Sequence, residues 1–571
     1  MLDLIIKGGM LIDGTGAPRR QADIGIQGGR IVEIGRVGEP ATQVIDAGGL
    51  AVTPGFVDVH THYDAQILWD PLVTPSNLHG VTTVIGGNCG FSIAPMVPQH
   101  VDYVTRMLAK VEGMPLEALV AGLDFKWQSF GQFLDRLEGK IAVNAGFLAG
   151  HSTIRRVVMG ERATASKATA EDLNNMCSLL RECLADGALG FSSTWHLLHN
   201  DGDGNPVPSR AADAAELVAL AGVANGFPGT MLEFAPGVYA EWGDRETQVM
   251  IEMSLAAGCS INWNPARVRE TDPATVERQL RPGTRAAERG ASIVALAYPF
   301  PSSTQLSLSR PYVYDSLPDW RDTMNLPLEE RMLAFADPAV RRRLEEGAGR
   351  TVQIPAKYAV NWSKLRFSRI ASAALRGFLG KTVGEVAQAS GKSAFDTYLD
   401  IALADGLNTY VSFPIDADDD ESWRMRAALL RDPRTVLGGS DAGAHLDSIC
   451  NATLSTRLLR EFVKERGLLS LEEAIHMITD APARFCGLRE RGRLEVGWHA
   501  DIVVLDPDAV APHPLELRHD FPAGAARLYA GADGIRHVVV NGVETLRNGQ
   551  PTGQRHGTVL RSGRDTQSVP R

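Results

Sequence analysis

Two histidines at alternate positions follow the first long apolar run in the central part of the chain. The run begins at Pro54 and ends in His60 and His62. Because successive side chains of a strand point to opposite faces, both imidazoles leave the strand end on the same side. Neutral imidazoles bind zinc and related divalent metals. A single histidine is more often a hydrogen-bonded core or surface residue, so a metal site also requires a matching carboxylate.

Asp441 supplies that carboxylate. It follows Val436–Gly439, the last of eight short apolar runs in the chain. In a closed parallel barrel the first and last strands are neighbours, and their carboxyl ends meet at one mouth. There Asp441 would ligate the metal and accept a proton from the attacking water. The alternative interpretation is an aspartate that caps the next helix.

Two further strand ends carry reactive groups. Cys89 lies in the glycine-rich exit of the second strand, Gly86–Gly90. A thiolate is a strong zinc ligand, although cysteine is also commonly an inert core residue. His151 follows the third strand, where a metal ligand, an oxyanion stabiliser and a loop anchor are all open. We favour a catalytic role for His151 on the substrate side.

Other polar side chains lie at the ends of later strands and are candidates for substrate binding. For each of them a hydrogen-bonded loop residue is an equally good interpretation. In chain order they are Glu233, Asn262, Asn264, Tyr298 and His445.

The spacing of the apolar runs predicts the fold class. The runs alternate with helical patterns, which is typical of a parallel sheet, and eight such repeats close as a TIM-type (β/α)8 barrel of the α/β class over residues 55–485. The eight runs are Gly55–Val59, Val81–Gly86, Ala142–Leu148, Ala188–Ser192, Thr230–Glu233, Ser260–Trp263, Ile293–Ala297 and Val436–Gly439.

The two ends of the chain have a different texture. Short β-rich runs split by glycine turns fill residues 1–54 and return in residues 486–550, which predicts one small β-sandwich built from both ends rather than two separate caps. The gap before the last barrel strand, about 300–430, is too long for one loop and holds an insertion. Its Tyr312, Tyr314 and Trp320 suggest a lid or subdomain near the barrel mouth. Residues 551–571 form a tail that packs irregularly or frays.

Composition excludes several classes of protein. The formal net charge is −11, with no basic patch of the kind that binds nucleic acid. The six cysteines form no C-x-x-C pair, which is typical of reduced thiols in a cytoplasmic protein. The first residues do not form a signal peptide, and no apolar stretch of about 18 residues is present to span a membrane.

Together these motifs resemble the amidohydrolase superfamily, and within it the D-aminoacylase (N-acyl-D-amino-acid deacylase) branch, to which the Asn-Cys-Gly element at Cys89 points. The resemblance covers nearly the whole chain except the insertion and the tail. The matching stretches are Ile12–Gly16, Gly55–His62, Gly80–Val84, Gly87–Gly90, Gly150–Arg155, Tyr298–Pro299, Gly439–Asp441, Ala481–Phe485 and Gly492–Val504.

The resemblance implies a barrel with a split β-sandwich, a catalytic zinc ion with Cys89 among its ligands, and a homo-oligomer. It also implies hydrolysis of an acyl-amide bond in a small-molecule substrate by metal-activated water, with Asp441 as general base. His151, Tyr298 or an asparagine of the sixth strand would stabilise the oxyanion.

The chain departs from this family at two strands. The deacylases carry a histidine at the ends of strands five and six, which completes a second metal site, whereas Thr230–Phe234 and Ser260–Asn264 contain none. The family's basic residue after the sixth strand also has no clear match. One zinc is therefore expected. A second site is either absent or rebuilt from Cys89, Glu233 and Asn264, with His196 and His199 as a less favoured source of ligands.

Three hypotheses on function remain open at this point. The first is a deacylase of linear N-acyl-D-amino acids. The second is a hydrolase of a cyclic amide, lactone or ester on the same scaffold. The third is a catalytically inactive scaffold used for binding, against which the intact set of His60, His62 and Asp441 argues.

Overall fold

The structure, a computed structural model, describes residues 1–237, 243–301, 303–310, 313–351, 356–414 and 416–570. Eight parallel strands with buried, mostly apolar residues form a barrel. The first three strands pair in order, and the remaining five pair in order with the short strand Ala149–Gly150. The eight barrel strands are Phe56–Asp58, Val81–Gly86, Asn144–Phe147, Gly190–Thr194, Met231–Ala235, Ile261–Ala266, Ile293–Ala297 and Thr435–Leu437.

Helices cover the outside of the barrel, and local sequence signals fix where several of them begin. Thr169 accepts a hydrogen bond from the backbone N–H of Asp172, whose carboxylate accepts one in return from Thr169, so this helix starts in a capping box. The larger helices of the barrel are Val101–Val111, Phe130–Leu137, His151–Met159, Ala170–Ala185, Ala214–Val223, Asp244–Ala257, Pro273–Ala287, Asp420–Arg431 and Leu471–Ile478.

Both ends of the chain contribute to one nine-stranded sheet. The central pairing is antiparallel, with Ile502 opposite Pro54 and Val504 opposite Val52. The prediction of a β-domain built from the two chain ends is therefore confirmed. The main strands are Leu2–Leu11, Arg20–Gln27, Arg30–Gly35, Ala41–Asp46, Ala51–Pro54, Ile502–Leu505, Ile535–Val540 and Val543–Arg547.

One part of the C-terminal segment leaves this sheet and packs on the barrel mouth. It contains the short pairs Ala511–Pro512 with Ala532–Asp533 and Glu516–Arg518 with Arg527–Tyr529. His79 bonds the carbonyl of Ala530 at 3.0 Å, which ties the segment to the barrel. The sequence interpretation, which assigned all of 486–550 to the sandwich, was wrong for this stretch because its few apolar residues pack on barrel loops instead.

The insertion before the last barrel strand is a subdomain with its own core. Its sheet contains Ser303–Ser307, Arg366–Arg369 and Tyr410–Pro414, and its larger helices are Leu328–Ala336, Pro338–Gly349, Val383–Ser390 and Ala394–Ala404. Tyr314 stacks on Trp320 with ring centroids 5.3 Å apart, and both side chains are fully buried. These aromatic residues therefore build the subdomain core, and Tyr312 lies outside the described residues.

The tail packs against the barrel instead of fraying. Val559 pairs with Ala145, and Thr566 pairs with Leu488. Val559 and Leu560 are fully buried, so the tail covers apolar residues of the barrel. Among the described residues, no helix has the length and apolar character needed to cross a membrane.

Candidate metal centre and active site

The ends of the first and last barrel strands are joined by backbone bonds that align their functional side chains. The N–H of Asp441 donates to the carbonyl of His60 at 3.1 Å, and the N–H of His62 donates to the carbonyl of Ala442 at 2.8 Å. Thr61 and Ala442 form a parallel bridge between these two bonds. Residues far apart in the chain are thus held in register at one mouth of the barrel.

Five of the predicted groups meet at this junction. His60, His62 and Cys89 each offer one donor atom, and these atoms lie within 4.8 Å of one another. Sγ of Cys89 is 3.6 Å from Nε2 of His60. Oδ1 of Asp441 lies 3.0 Å from Nε2 of His62 and 3.6 Å from Nε2 of His60. Nδ2 of Asn264 completes the group at 3.3 Å from Nε2 of His60.

Backbone strain accompanies this arrangement. Asp441, Cys89 and His445 have φ values of 59°, 55° and 49°, in the left-handed region that non-glycine residues rarely occupy. Such conformations persist where the surrounding structure holds them, and they concentrate at functional sites. In this site the strained conformations direct the side chains of Asp441, Cys89 and His445 into the same cavity.

The loop that presents Cys89 is fixed by its neighbours. Gly87 has a φ of 75°, and a Cβ there would meet the carbonyl oxygen of Leu148 at 2.2 Å, so only glycine fits. Asp64 accepts the N–H of Gly87 at 3.0 Å, and Glu233 accepts the N–H of Cys89 at 2.8 Å. The loop therefore has one conformation, in which the thiol faces the imidazoles.

Buried carboxylates surround the donor atoms. Burial raises the pKa of Asp58 to about 7, of Asp64 to about 6 and of Glu233 to about 8. Burial also raises the pKa of Glu112, whose Oε1 lies 3.5 Å from Nδ1 of His62. Taking several carboxylates out of water is unfavourable unless a positive charge compensates them. A bound cation would compensate the negative charge of these buried carboxylates.

Without a metal, the pKa values of the ligand groups shift in different directions. Burial lowers the pKa of His60, so its imidazole is neutral. Burial also lowers the pKa of His62, but Glu112 and Asp441 outweigh this effect and raise it to about 9. In the absence of a metal, His62 is thus the cation of the cluster. Burial and then Glu233 raise the pKa of the Cys89 thiol, which a bound metal would deprotonate.

The donor set fits zinc. Two imidazoles, a thiol and a carboxylate belong to the ligand types that zinc prefers. The donor atoms of His60, His62 and Cys89 lie within 4.8 Å of one another, and the carboxylate of Asp441 adjoins both imidazoles. Nδ1 of His62 is held by Glu112, in the arrangement by which carboxylates orient metal-binding histidines. The residues that would hold the ion are His60, His62, Cys89 and Asp441.

A cavity of about 480 Å³ opens above these residues. Barrel loops, the insertion and the C-terminal segment all contribute to its walls, so a small molecule fits between three parts of the chain. Its lining includes His62, Cys89, Glu112, His196, His199, Asn264, Arg267, Tyr298, Gln305, Ser412, Asp441, His445, Cys450, Asn451, Arg457 and His513.

The predicted substrate-side residues divide into two groups. Tyr298, Asn264 and His445 line the cavity. The hydroxyl of Tyr298 donates to Oδ1 of Asn451 at 3.0 Å, and Nε2 of His445 lies 3.8 Å from Oδ2 of Asp441. These three residues are placed where a substrate would reach them.

Three other predictions need correction. His151 is fully buried outside the cavity lining, with Nδ1 bonded to Ser193 at 2.8 Å and Nε2 bonded to Glu216 at 2.9 Å. Both ring nitrogens are engaged, so we assign this histidine no contact with substrate. Glu233 and Asn262 also lie beneath the cavity floor, where Glu233 holds the Cys89 loop and Asn262 donates to the carbonyl of Leu232 at 3.1 Å. These side chains support the site and do not line it.

Sequence reasoning missed two residues of the site. Glu112 follows the helix Val101–Val111, and no sequence signal marks it because it lies far from any barrel strand end. Arg267 comes directly after the sixth strand and lines the cavity. The prediction ended that strand at Trp263, whereas it extends to Ala266, and for this reason the basic residue went unrecognised.

His196 and His199 line the cavity but do not join the metal cluster. In the described part of the chain, the donor atoms that lie within 4.8 Å of one another belong to His60, His62 and Cys89. The two rings stack on each other with centroids 4.6 Å apart. The less favoured prediction that they supply ligands for a second metal finds no support in this geometry.

Known proteins share this sequence pattern. The amidohydrolase family profile matches residues 43–546, and the profile of the N-terminal domain of the urease alpha-subunit matches residues 1–55. D-aminoacylase of Alcaligenes xylosoxydans xylosoxydans is 30% identical over 569 residues, covering 98% of this chain and 97% of that protein. N-acyl-D-aspartate deacylase of the same organism is 30% identical, with 98% and 95% covered.

Solved structures give the same result. N-acyl-D-glutamate deacylase from Bordetella bronchiseptica, solved with zinc and a phosphonate inhibitor, has a TM-score of 0.67 at 26% identity and covers 98% of this chain and 100% of its own. A D-aminoacylase structure described by its binuclear metal centre has a TM-score of 0.67 at 25% identity, with the same coverage. With the matched profile spanning most of its length, this chain belongs to the amidohydrolase family.

Proposed function

We propose that this protein is a zinc-dependent hydrolase that removes the acyl group from N-acyl-D-amino acids. One observation carries the proposal, namely the meeting of His60, His62, Cys89 and Asp441 at the floor of a cavity large enough for such a molecule. Further support comes from full-length similarity to D-aminoacylase and to deacylases of N-acyl-D-glutamate and N-acyl-D-aspartate.

Asp441 is the proton-transfer group of this proposal. A bound zinc ion would supply a Lewis acid that polarises the scissile carbonyl and acidifies water. Burial raises the pKa of Asp441, but His60 and His62 outweigh this and hold it well below its usual range. The carboxylate is therefore ionised and able to accept the proton of the attacking water. It then delivers that proton to the leaving nitrogen, so one residue acts first as base and then as acid.

Arg267 is the group that we assign to the substrate carboxylate. Its backbone is held on both sides by Gln279, which accepts the N–H of Arg267 at 3.0 Å and donates to its carbonyl at 2.8 Å. The guanidinium lies over the ring of Tyr298, 4.7 Å from the centroid. A guanidinium presents paired donors that match a carboxylate. Arg267 also pairs with buried Asp416, whose Oδ2 lies 3.5 Å from its Nη1, and in the cavity wall it would bind substrates that keep a free carboxylate.

We propose one zinc ion per chain. The second site of the related deacylases needs histidines where this chain has Glu233 and Asn262 or Asn264, and Glu233 already accepts the N–H of Cys89. Among the described residues, one group of histidine, cysteine or acidic side chains has three donor atoms close enough to bind a single ion. This group is His60, His62 and Cys89. Location in the cytoplasm and assembly into a homo-oligomer stay predictions.

The experiment that tests this function is zinc analysis of purified protein combined with a substrate screen. We expect about one zinc per chain and release of free D-amino acid from N-acetyl-D-amino acids, with little activity on the L-enantiomers. Preferential cleavage of cyclic amides, lactones or esters would overturn the assigned substrate but not the metal chemistry. Protein that binds no zinc and cleaves none of these compounds would support the inactive-scaffold hypothesis.

A further inference from the structure

A carbonyl that is attacked by water needs a hydrogen-bond donor for the negative charge that develops on its oxygen. The donors predicted from the sequence are largely engaged within the protein. His151 bonds Ser193 and Glu216, the Tyr298 hydroxyl donates to Asn451, and the amide of Asn262 donates to a backbone carbonyl, as described above. Asn264 faces His60 on the metal side. A further donor in the cavity wall would complement the polarisation of the carbonyl that a bound zinc ion would supply.

His199 has a fixed orientation at the cavity wall. Its Nδ1 lies 2.9 Å from Oγ1 of Thr194, the last residue of the fourth barrel strand. The ring is also held between two others, with centroids 4.6 Å from His196 and 5.3 Å from Phe91. His199 lines the same cavity as Cys89 and Asp441.

The contact distances of Thr194 favour one tautomer of His199. The hydroxyl oxygen of Thr194 accepts the backbone N–H of His196 at 3.0 Å, and its single hydrogen has two acceptors within reach, Nδ1 of His199 and the carbonyl of Ala235. Nδ1 of His199 at 2.9 Å is a better acceptor position than the carbonyl of Ala235 at 3.5 Å. When Nδ1 accepts, a neutral imidazole carries its hydrogen on Nε2.

The imidazole of His199 is also neutral. Burial, followed by the charge of His196, places the pKa of His199 well below its usual value. Among the described residues, the hydrogen bond of the His199 ring is the one between its Nδ1 and Thr194. A neutral N–H donor at a cavity wall is suited to stabilise an oxyanion because it does not lose its proton at working pH.

We propose that the Nε2–H of His199 donates a hydrogen bond to the oxygen of the scissile carbonyl as this oxygen becomes negatively charged, and that Thr194 is the residue that fixes the required tautomer. The inference rests on the function proposed above. No bond to His199 forms or breaks. Water adds to the carbonyl carbon and its proton passes to Asp441, after which the carbon–nitrogen bond breaks and the nitrogen takes that proton.

The test compares matched substitutions in the zinc-loaded protein. His199→Phe keeps an aromatic ring beside Phe91 but has no donor, and we expect kcat to fall about 100- to 1,000-fold with little change in KM, as for loss of one oxyanion donor. His199→Gln keeps an N–H at similar reach, and we expect it to retain at least about a tenth of the wild-type kcat. Thr194→Val should lower kcat because both tautomers become populated, whereas Thr194→Ser keeps the hydroxyl and should be near wild type.

Two further readouts separate an oxyanion donor from a structural or metal-binding role. The affinity of a phosphonate analogue of the tetrahedral intermediate should fall by about the same factor as kcat/KM in His199→Phe, while zinc per chain stays at the wild-type value. Wild-type kcat in His199→Phe, or a loss of zinc from it, would overturn the proposal. If His199→Phe does not fold, equal kcat values in Thr194→Val and Thr194→Ser would overturn it instead.

Failure of the proposed function is distinguishable from failure of this inference. A wild-type protein that cleaves another amide or an ester, but no N-acyl-D-amino acid, contradicts the assigned substrate. The same variants are then measured on the substrate that is cleaved. A loss of kcat in His199→Phe with recovery in His199→Gln supports the donor role on that substrate, and equal rates refute it.

Discussion

The carboxylate of Asp441 lies 3.0 Å from Nε2 of His62, although the two residues come from opposite ends of the barrel segment. The bonds between the backbones of the first and last strands maintain this contact. It places a proton acceptor beside a metal ligand, which is the relationship that hydrolysis by activated water requires.

Replacing Asp441 with asparagine should remove turnover without unfolding the protein. Asparagine has the same shape and tolerates the left-handed conformation that Asp441 adopts, with φ of 59°, but it cannot accept a proton. We expect kcat to fall by about 100- to 10,000-fold, the usual contribution of general acid–base catalysis. Steady-state kinetics and thermal unfolding measure the two effects. Near-wild-type turnover would refute the assigned role.

Replacing Cys89 with alanine should lower the amount of bound zinc. The thiol lies 3.6 Å from Nε2 of His60 in the ligand cluster, so its removal deletes one donor. Cys450→Ala is the matched control, because Cys450 lines the same cavity but lies outside the cluster. Elemental analysis after dialysis should show less zinc per chain in the first variant alone. Equal zinc content in the two variants would show that Cys89 is a structural thiol rather than a metal ligand.

Replacing Glu112 with glutamine should weaken zinc binding through His62. Glu112 lies 3.5 Å from Nδ1 of His62, and removal of such a supporting carboxylate typically costs about 10- to 100-fold in metal affinity. Competition with a chelating dye measures this affinity directly. Glu216→Gln changes a buried carboxylate that bonds His151 outside the cavity, and it should leave zinc affinity unchanged. A similar loss in both variants would point to general destabilisation.

The zinc-free protein should become less stable as the pH rises from about 4.5 to about 8. Burial raises the pKa of Glu233 from 4.5 to about 8. Over this interval the folded state keeps a proton that the unfolded state has lost, so the free energy of unfolding falls as pH increases. Glu233→Gln removes one of the buried groups that titrate in this interval. Thermal unfolding of zinc-free protein between about pH 5 and about pH 9 should show a shallower decline in the variant, and parallel curves would contradict the assignment.

Replacing Arg267 with methionine should impair substrates that carry a free carboxylate. The aliphatic part of the side chain is kept, whereas the guanidinium over Tyr298 is lost. We expect kcat/KM for N-acetyl-D-amino acids to fall by about 10- to 100-fold, as for loss of a charged hydrogen-bonded contact of about 1.5–3 kcal/mol. The corresponding N-acetyl amino acid amides are the control substrates and should respond little. An equal loss on both would show that Arg267 supports the cavity rather than the carboxylate.

Sequence alone predicted the barrel because its strands are short, apolar and buried, and because each is followed by a helical pattern. The positions of His60, His62 and Cys89 followed from their place at strand ends. Asp441 followed from the closure of the barrel, which makes the first and last strands neighbours. These local features, combined with one topological rule, were sufficient to predict that the four side chains lie close together, and their roles as metal ligands stay a prediction.

The remaining site residues depend on contacts that sequence patterns do not encode. Glu112 reaches His62 from a loop after an outer helix, so no strand-end rule identifies it. His151 does lie at a strand end, but Ser193 and Glu216 turn it away from the cavity. Arg267 was missed because three more residues of strand precede it than the prediction allowed. Side-chain direction and exact strand length decide these cases.

The most direct test of the metal centre is a crystal structure of the zinc-loaded protein with anomalous data collected at the zinc edge. We predict one strong anomalous peak in contact with Nε2 of His60, Nε2 of His62, Sγ of Cys89 and the carboxylate of Asp441. A peak bound elsewhere, or these four side chains surrounding no metal in protein that hydrolyses its substrate, would contradict the account.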